Sequence, residues 1–355
     1  MSYYVAFFSL SLVLAIIPIK YKDMDVFCLI TLFIVASIFI GGRYNGGADF
    51  IAYTKHYYHD NSEIMNFELG FEYLFYLIRD LGFSFNHASL IIFVVNIGFF
   101  VFAIKELKYK TLSLFIFILY FFIPLTAVIR QGLSIPFMAL AIINVRNSHK
   151  YFFYTIVAAF FHISSLIMIP LFFVRRIKLS RAMFAISISV CFVIGYTNPI
   201  EIIISSLSGL NSHYVTRIMI YSTDYTDPMS LTAQLYRLAA LGVLFFIWNE
   251  IQEDDELHFS GNIYLCVFLL TLLFKDNGVL INRISFSTNI SFLYIMLNYW
   301  VVVKCESKKI ILFLFILMYF PVNYFKFVST ETRFTDKAYL PYQNFIFNDA
   351  NKYEY

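Results

Sequence analysis

Residues 3–19 read YYVAFFSLSLVLAIIPI and residues 26–42 read VFCLITLFIVASIFIGG. Neither run carries a charge, and each is close to the length at which a helix crosses about 30 Å of hydrocarbon. Lys20 and Lys22 lie between them. A short basic turn of this kind stays on the cytoplasmic side, which puts the N-terminus outside. The first run has no basic residue before it and no small-residue cleavage site after it, so it reads as a first span rather than a signal peptide. The rest of the chain repeats the pattern. Of 355 residues, 60% are apolar and 14% are charged, where an ordinary soluble domain has about 25% charged. Mean hydropathy is +0.72. This composition excludes a soluble enzyme, a nucleic-acid binder and a disordered chain. It also excludes an outer-membrane barrel, whose segments are roughly ten residues long and alternate in polarity. The expected fold class is all-α: a polytopic helical integral membrane protein, with residues 1–355 as a single transmembrane domain.

Ten spans are expected, over residues 3–19, 26–42, 88–104, 112–128, 131–145, 182–197, 231–248, 262–274, 286–303 and 310–325. External loops are expected near 43–86 and 198–230, and an external C-terminal tail over 326–355, so that both termini lie outside. Ten of the fifteen lysines then fall on the cytoplasmic side. Residues 151–174 are long enough to span once, but that would put Arg175, Arg176, Lys178 and Arg181 outside, against the positive-inside rule. A broken hairpin removes the conflict: 151–161 enters, turns near His162–Ser165, and 166–174 returns. Non-helical backbone at membrane depth must lie in protein or line a wet cavity, and His162, Ser164 and Ser165 supply a polar tip. The four cysteines, Cys28, Cys191, Cys266 and Cys305, lack the paired spacing of a metal or redox motif and read as small hydrophobes.

An arginine at membrane depth costs on the order of 2.5–3.5 kcal/mol, so it marks a functional position by default. In this topology Arg43, Arg130, Arg237 and Arg283 lie at the outer ends of spans and Arg217 in the second external loop, while lysines guard the inner face. A guanidinium grips phosphate oxygens through paired hydrogen bonds, so the cluster points to a lipid-linked phosphate or pyrophosphate. The competing reading is that each arginine snorkels to the headgroups. The stretch Gly41-Gly42-Arg43-Tyr44-Asn45-Gly46-Gly47-Ala48-Asp49 implies tight turns that hold Arg43 and Asp49 near the lipid surface. It matches no nucleotide fingerprint. The aromatics of the first loop, among them Tyr53, Tyr57, Tyr58, Phe67, Phe71 and Tyr73, read mainly as an interfacial belt, with stacking on sugar rings as the second reading.

Several of these residues form an ordered set. Arg43, Gly47, Asp49 and Tyr53 give R-x-x-x-G-x-D-x-x-x-Y, followed by Glu68-x-Gly70-Phe71, Arg130-Gln131-Gly132, Ala159-x-x-His162-x-Ser164, Arg283 and Pro341-Tyr342. The set resembles the EpsG-like family of Wzy-type polysaccharide polymerases over nearly the whole chain. Ala48 departs from it, standing where the family often has a hydroxyl residue. The resemblance implies an enzyme of the bacterial inner membrane, acting on its periplasmic or outer face. It would transfer a growing glycan from undecaprenyl pyrophosphate to the non-reducing end of a new lipid-linked repeat unit, making O-antigen, capsule or exopolysaccharide.

For that chemistry the arginines at positions 43, 130, 217, 237 and 283 are expected to hold the two pyrophosphates and stabilise the leaving group. His162, Asp49 and Glu68 are the candidates for a base that activates the acceptor hydroxyl. His162 ranks first, because a neutral histidine accepts a proton near pH 7. Tyr53, Gln131 and Tyr342, matched positions of the set, are expected on the substrate. Pyrophosphate leaves readily, so direct displacement with inversion is expected in place of the two flanking carboxylates of a glycosidase. No metal and no cofactor are expected. The expected partners are lipid-linked donor and acceptor units, membrane lipids and a chain-length regulator, and nucleic acid is not among them. The alternatives are a lipid-phosphosugar glycosyltransferase relying on Asp49, a flippase for the lipid-linked unit, and an O-antigen ligase.

Overall fold

The computed structural model describes residues 1–44, 46, 47, 49–59, 67–197, 199, 230–303, 305–329 and 339–347. Arg217 and almost all of the second long loop fall outside these, as do Asn45 and Ala48. The described residues form helices, with one isolated antiparallel bridge between Arg43 and Asn344. The helices are α1 (Ser2–Lys20), α2 (Asp25–Ala36), α3 (Phe50–His59), α4 (Leu69–Asp80), α5 (Phe85–Ala103) and α6 (Lys110–Tyr120). Then come α7 (Phe122–Thr126), α8 (Ile129–Ile143), α9 (Ser148–Phe161), α10 (Met168–Leu171) and α11 (Arg181–Gly195). The remainder are α12 (Leu231–Phe246), α13 (Trp248–Ile251), α14 (Asp255–Leu273), α15 (Gly278–Thr288), α16 (Ile290–Val302) and α17 (Glu306–Ser329). Five helical stretches among the described residues are long and apolar enough to cross a membrane: Ser2–Lys20, Lys22–Gly41, Phe85–Ala103, Asp255–Leu273 and Glu306–Ser329. α6, α8, α11 and α12 are shorter and also apolar. The chain is an all-α polytopic membrane protein.

The described chain divides into two compact units, one of Met1–Leu140, Phe153–Ile163 and Trp300–Tyr355, the other of Ala141–Phe152 and Ser164–Tyr299. In the first, α1, α2, α6 and α17 pack together. Asp25 opens α2 and also caps α6: its carboxylate accepts from the backbone of Lys110 and Thr111 at 3.3 and 3.2 Å and from Thr111 Oγ1 at 2.8 Å. An anion there meets the unpaired amides of a helix N-terminus. The span expected over 112–128 is instead interrupted after Tyr120. Pro124 has no N–H to give to the Tyr120 carbonyl, and the buried Asn323 of α17 donates to that oxygen at 3.4 Å. The loop expected over 43–86 contains α3 and α4, whose inner faces join α5 and α8 in one cluster of Tyr53, Tyr57, Phe71, Phe75, Ile78, Phe85, Ala88, Ile92, Ile129 and Leu133. The belt reading thus fails for Tyr53, Tyr57 and Phe71, which are buried, whereas Tyr58 and Tyr73 are exposed.

The break expected after α9 starts at the end of the first unit's Phe153–Ile163 and continues in the second unit from Ser164. Helix geometry stops at His162, a 3₁₀ turn covers Ile163–Ile167, and α10 and a second 3₁₀ turn carry the chain to Arg176. Tyr151 Oη then donates to the Met168 carbonyl at 2.6 Å, the Tyr151 and Phe172 rings lie 4.8 Å apart, and Arg175 Nη1 donates to the Val145 carbonyl at 2.9 Å. The segment that follows is fixed by α13 and α14. Trp248 Nε1 donates to the Leu179 carbonyl at 2.7 Å, and Asn262 Nδ2 donates to the carbonyls of Val174 and Ile177, each at 2.8 Å. Asp254 caps α14 by accepting from the amides of Glu256 and Leu257 at 2.9 Å.

Candidate functional site

Glu68 stands immediately before α4, where a carboxylate ordinarily turns back to accept from the first amides of its own helix. It makes no such bond. Its backbone oxygen begins the helix by accepting from Phe71 and Glu72 at 2.9 and 3.0 Å, and its side chain reaches away. Oε2 lies 2.6 Å from Arg130 Nη1, and Oε1 accepts from His162 Nδ1 at 2.9 Å and from the Ile163 amide at 3.2 Å. The side chains of Glu68 and Arg130 are each 13% exposed, and that of His162 is 9% exposed. Residues 62 and 94 positions apart are joined through one carboxylate.

Local sequence explains how these groups meet. A Cβ on Gly70 would lie 2.8 Å from the Phe160 carbonyl oxygen, so only glycine lets the first turn of α4 sit against the end of α9, two residues before His162. Arg130 lies in the first turn of α8, where the helix dipole opposes a cation. Glu68 offsets that, and the Phe67 ring lies 4.3 Å from the guanidinium carbon. Tyr53 Oη accepts from Arg130 Nε at 3.4 Å. Burial alone would raise the Glu68 carboxyl, but the His162 hydrogen bond, the Arg130 charge and the Ile163 amide outweigh it and hold the group at about 2. Glu68 is therefore ionised at neutral pH. A carboxylate facing Nδ1 fixes the hydrogen there, which puts the lone pair of neutral His162 on Nε2. A second pair, His56 Nε2 with Glu72 Oε1 at 2.8 Å, lies beside the first, with Phe67 packed on the His56 ring at 4.2 Å.

The structure brings Glu68, Arg130, His162 and Tyr53 together. Gln131, next to Arg130, is fully buried. Arg43 is buried in the same unit, with Nη2 donating to the Thr126 carbonyl at 2.7 Å. Asp49 is half-buried, and its backbone oxygen accepts from the Tyr53 amide at 3.0 Å. Tyr342 serves as a brace, stacked on Phe39 at 4.4 Å and donating to the Phe39 carbonyl at 2.8 Å. In the second unit Arg237 donates to Thr271 Oγ1 at 3.1 Å and Asn282 Oδ1 at 3.0 Å. Arg283 is half-buried on the adjacent turn of α15. Sequence reasoning missed Phe67, Thr126 and Tyr339 as neighbours of the two arginines, and Glu72 as the partner of His56. No spacing rule would have found them, since each is set by packing between segments far apart in the chain.

The chain is thus a helical membrane protein in which a half-buried arginine, a carboxylate and a histidine are joined within one compact unit. The model of the EpsG family matches residues 26–344, and the chain belongs to that family, whose members are polysaccharide polymerases of the glycosyltransferase type. No curated protein and no solved structure matches it.

Proposed function

We propose that this protein polymerises oligosaccharide repeat units carried on undecaprenyl pyrophosphate, at the outer face of a bacterial cytoplasmic membrane. The observation that carries the reading is the histidine oriented by a carboxylate that is itself neutralised by an arginine. In this reading His162 takes the proton of the acceptor hydroxyl as that oxygen attacks the anomeric carbon. The pyrophosphate leaves from the opposite face, and the configuration inverts. Glu68, whose oxygens already accept three hydrogen bonds, orients His162 and stabilises the imidazolium that forms. It is a positioning residue and a poor base. Arg130 holds Glu68 in place and lends positive potential to the site. Arg43, Arg237 and Arg283 supply charge for the pyrophosphates, and we keep Arg217 in that set. Tyr53, Gln131 and Tyr342 shape the approach of the sugar.

The test is deletion of the gene followed by gel analysis of surface glycan, with rescue by wild type and by Arg130→Ala. The expected result is a ladder that collapses to a single repeat unit and returns only with wild type. Loss of even one exported unit would instead identify a flippase or an earlier transferase. The half-buried carboxylate of Asp49, just before α3, favours one second reading: a single-sugar transferase that uses a lipid-phosphate donor. Deleting a gene for that enzyme would leave chain length intact and each repeat one sugar short.

A further inference from the structure

Arg43 and Arg130 occupy equivalent places in a sequence reading, yet their electrostatic situations differ. Arg130 faces Glu68 at 2.6 Å. Arg43 is 5% exposed and has no ion pair among the described residues. Its Nη2 is used by the Thr126 carbonyl, whereas Nε and Nη1 are buried with no hydrogen-bond partner among the described residues. A buried guanidinium with no ion pair among the described residues is costly; the Tyr339 hydroxyl and the Asp49 carboxylate act electrostatically at this spot, and an anion at Nε and Nη1 would lower the cost further.

The C-terminal segment builds the surroundings. Helix α2 runs on into a wide π turn at Ser37–Gly41, in which the Gly42 amide bonds to Ser37 and the Arg43 amide to Ile40. This bypasses the carbonyls of Ile38 and Phe39. Asn344 Nδ2 donates to the first at 2.7 Å and Tyr342 Oη to the second at 2.8 Å. The Tyr44 amide then bonds to the Gln343 carbonyl and the Phe345 amide to the Gly42 carbonyl, each at 3.0 Å. The carbonyls of Ile38, Phe39 and Gly42 and the amide of Tyr44 are thus all met by residues 342–345. The same segment delivers Tyr339, whose ring centre lies 5.2 Å from the Arg43 guanidinium carbon. Its hydroxyl lies 3.0 Å from Thr126 Oγ1, and its carbonyl accepts from Tyr4 at 2.9 Å. On another side is Gly46, where a Cβ would lie 3.1 Å from Nη1.

We propose that residues 339–347 form one wall of a buried phosphate site whose cation is Arg43, and that Nε and Nη1 receive anionic oxygens of the substrate's pyrophosphate. Two buried donors with no hydrogen-bond partner among the described residues fit a group with several anionic oxygens better than a lone carboxylate. The C-terminal segment is then part of the binding site, and Tyr339 is its positioning residue. The inference rests on the reading that the substrates are lipid pyrophosphates.

The experiment measures thermal stabilisation of the purified full chain by undecaprenyl pyrophosphate, inorganic pyrophosphate, phosphatidylglycerol and undecaprenol. Arg43→Gln should weaken undecaprenyl pyrophosphate by roughly tenfold or more, the loss expected when a charge-assisted hydrogen bond is removed. Tyr339→Ala should weaken it comparably and Tyr339→Phe less. Gly46→Ala leaves the charge in place but crowds Nη1, and it carries the test if Arg43→Gln does not accumulate. Competition by inorganic pyrophosphate but not by undecaprenol supports phosphate recognition. Phosphatidylglycerol binding as tightly as undecaprenyl pyrophosphate overturns the assignment in favour of bulk lipid headgroups. Wild-type affinity in both Arg43→Gln and Gly46→Ala overturns the site, even if gene deletion still collapses the glycan ladder. Affinity lost in the variants, with a glycan ladder that survives gene deletion, keeps the site and rejects the polymerase.

Discussion

Removing the charge of Glu68 tests the centre of the site directly. Glu68→Gln keeps the shape of the side chain but leaves Arg130, 13% exposed, facing an amide. Breaking a largely buried ion pair from one side costs about 3–5 kcal/mol, because the remaining charge is left uncompensated. The amide also accepts more weakly from His162 and Ile163 than the carboxylate does, which puts the expected loss near the lower bound or above it. Arg130→Gln should cost less, since Glu68 keeps the bonds to His162 Nδ1 and the Ile163 amide at 2.9 and 3.2 Å. The double variant removes both charges and should cost less than the sum of the singles by roughly 2–3 kcal/mol, near the upper end for residues in direct contact. The assay is unfolding of the purified protein in mixed detergent micelles, read for the four members of the cycle. Additive losses would mean that the two side chains do not share a bond in the folded protein, and the account of the site would fall.

The remaining predictions concern its other parts. His162→Asn places an amide N–H near the position of Nδ1–H, so the variant should fold and hold Glu68. It lacks a base, and the polymerisation rate should fall by about a hundredfold or more. Near-normal chain lengths would take His162 out of the chemistry. Gly70→Ala should cost about 1–3 kcal/mol as the new methyl presses on the Phe160 carbonyl, and it should lower activity by pulling Glu68 off His162. An unchanged unfolding midpoint would contradict that close approach. Polymer formation in isolated membranes should survive EDTA, and full inhibition that a divalent ion reverses would refute metal independence.

The fold class was legible because the hydrophobic signal is long-range and redundant. Runs such as 3–19 and 26–42 need no partner to be recognised. The break at His162 was legible for a different reason: the basic residues from Arg175 to Arg181 made a single crossing electrostatically awkward. Helix interruptions were harder. Pro124 divides the expected 112–128 span, yet a proline inside a membrane helix does not announce whether a neighbour such as Asn323 will take over the stranded carbonyl. The ordered motif picked out Arg130, Glu68 and His162 but left their relations open. Sequence alone ranked Arg43 and Arg130 together as phosphate ligands, whereas one is neutralised by Glu68 and the other has two unpartnered nitrogens. That distinction depends on a carboxylate brought from another helix. The aromatics misled, because Tyr53 and Phe71 in a polar loop look like a surface belt until α3 and α4 are seen to share a core with α5 and α8.

The pH response separates a positioning carboxylate from a catalytic base. Glu68 is held at about 2, below its ordinary 4.5, which corresponds to about 3 kcal/mol in favour of the charged form. A carboxyl lowered by folding contributes stability above its unfolded value and loses it as pH falls through the folded one. The contribution of Glu68 should therefore be complete above about 4.5, shrink below that, and be gone once pH passes below about 2. Unfolding of wild type and Glu68→Gln at successive pH values reads this as a difference that narrows as pH falls from about 4.5 towards 2; a change at higher pH belongs to the neighbour that Glu68 holds, His162. Between neutral pH and about 4.5 the Glu68 carboxyl stays ionised, so any acid limb of polymerisation in that range must belong to another group. If the wild-type rate has an acid limb there, the limb should persist in whatever activity Glu68→Gln retains. A limb that vanishes with Glu68→Gln would show a carboxyl that gains and loses its proton at working pH. Glu68 would then replace His162 as the base.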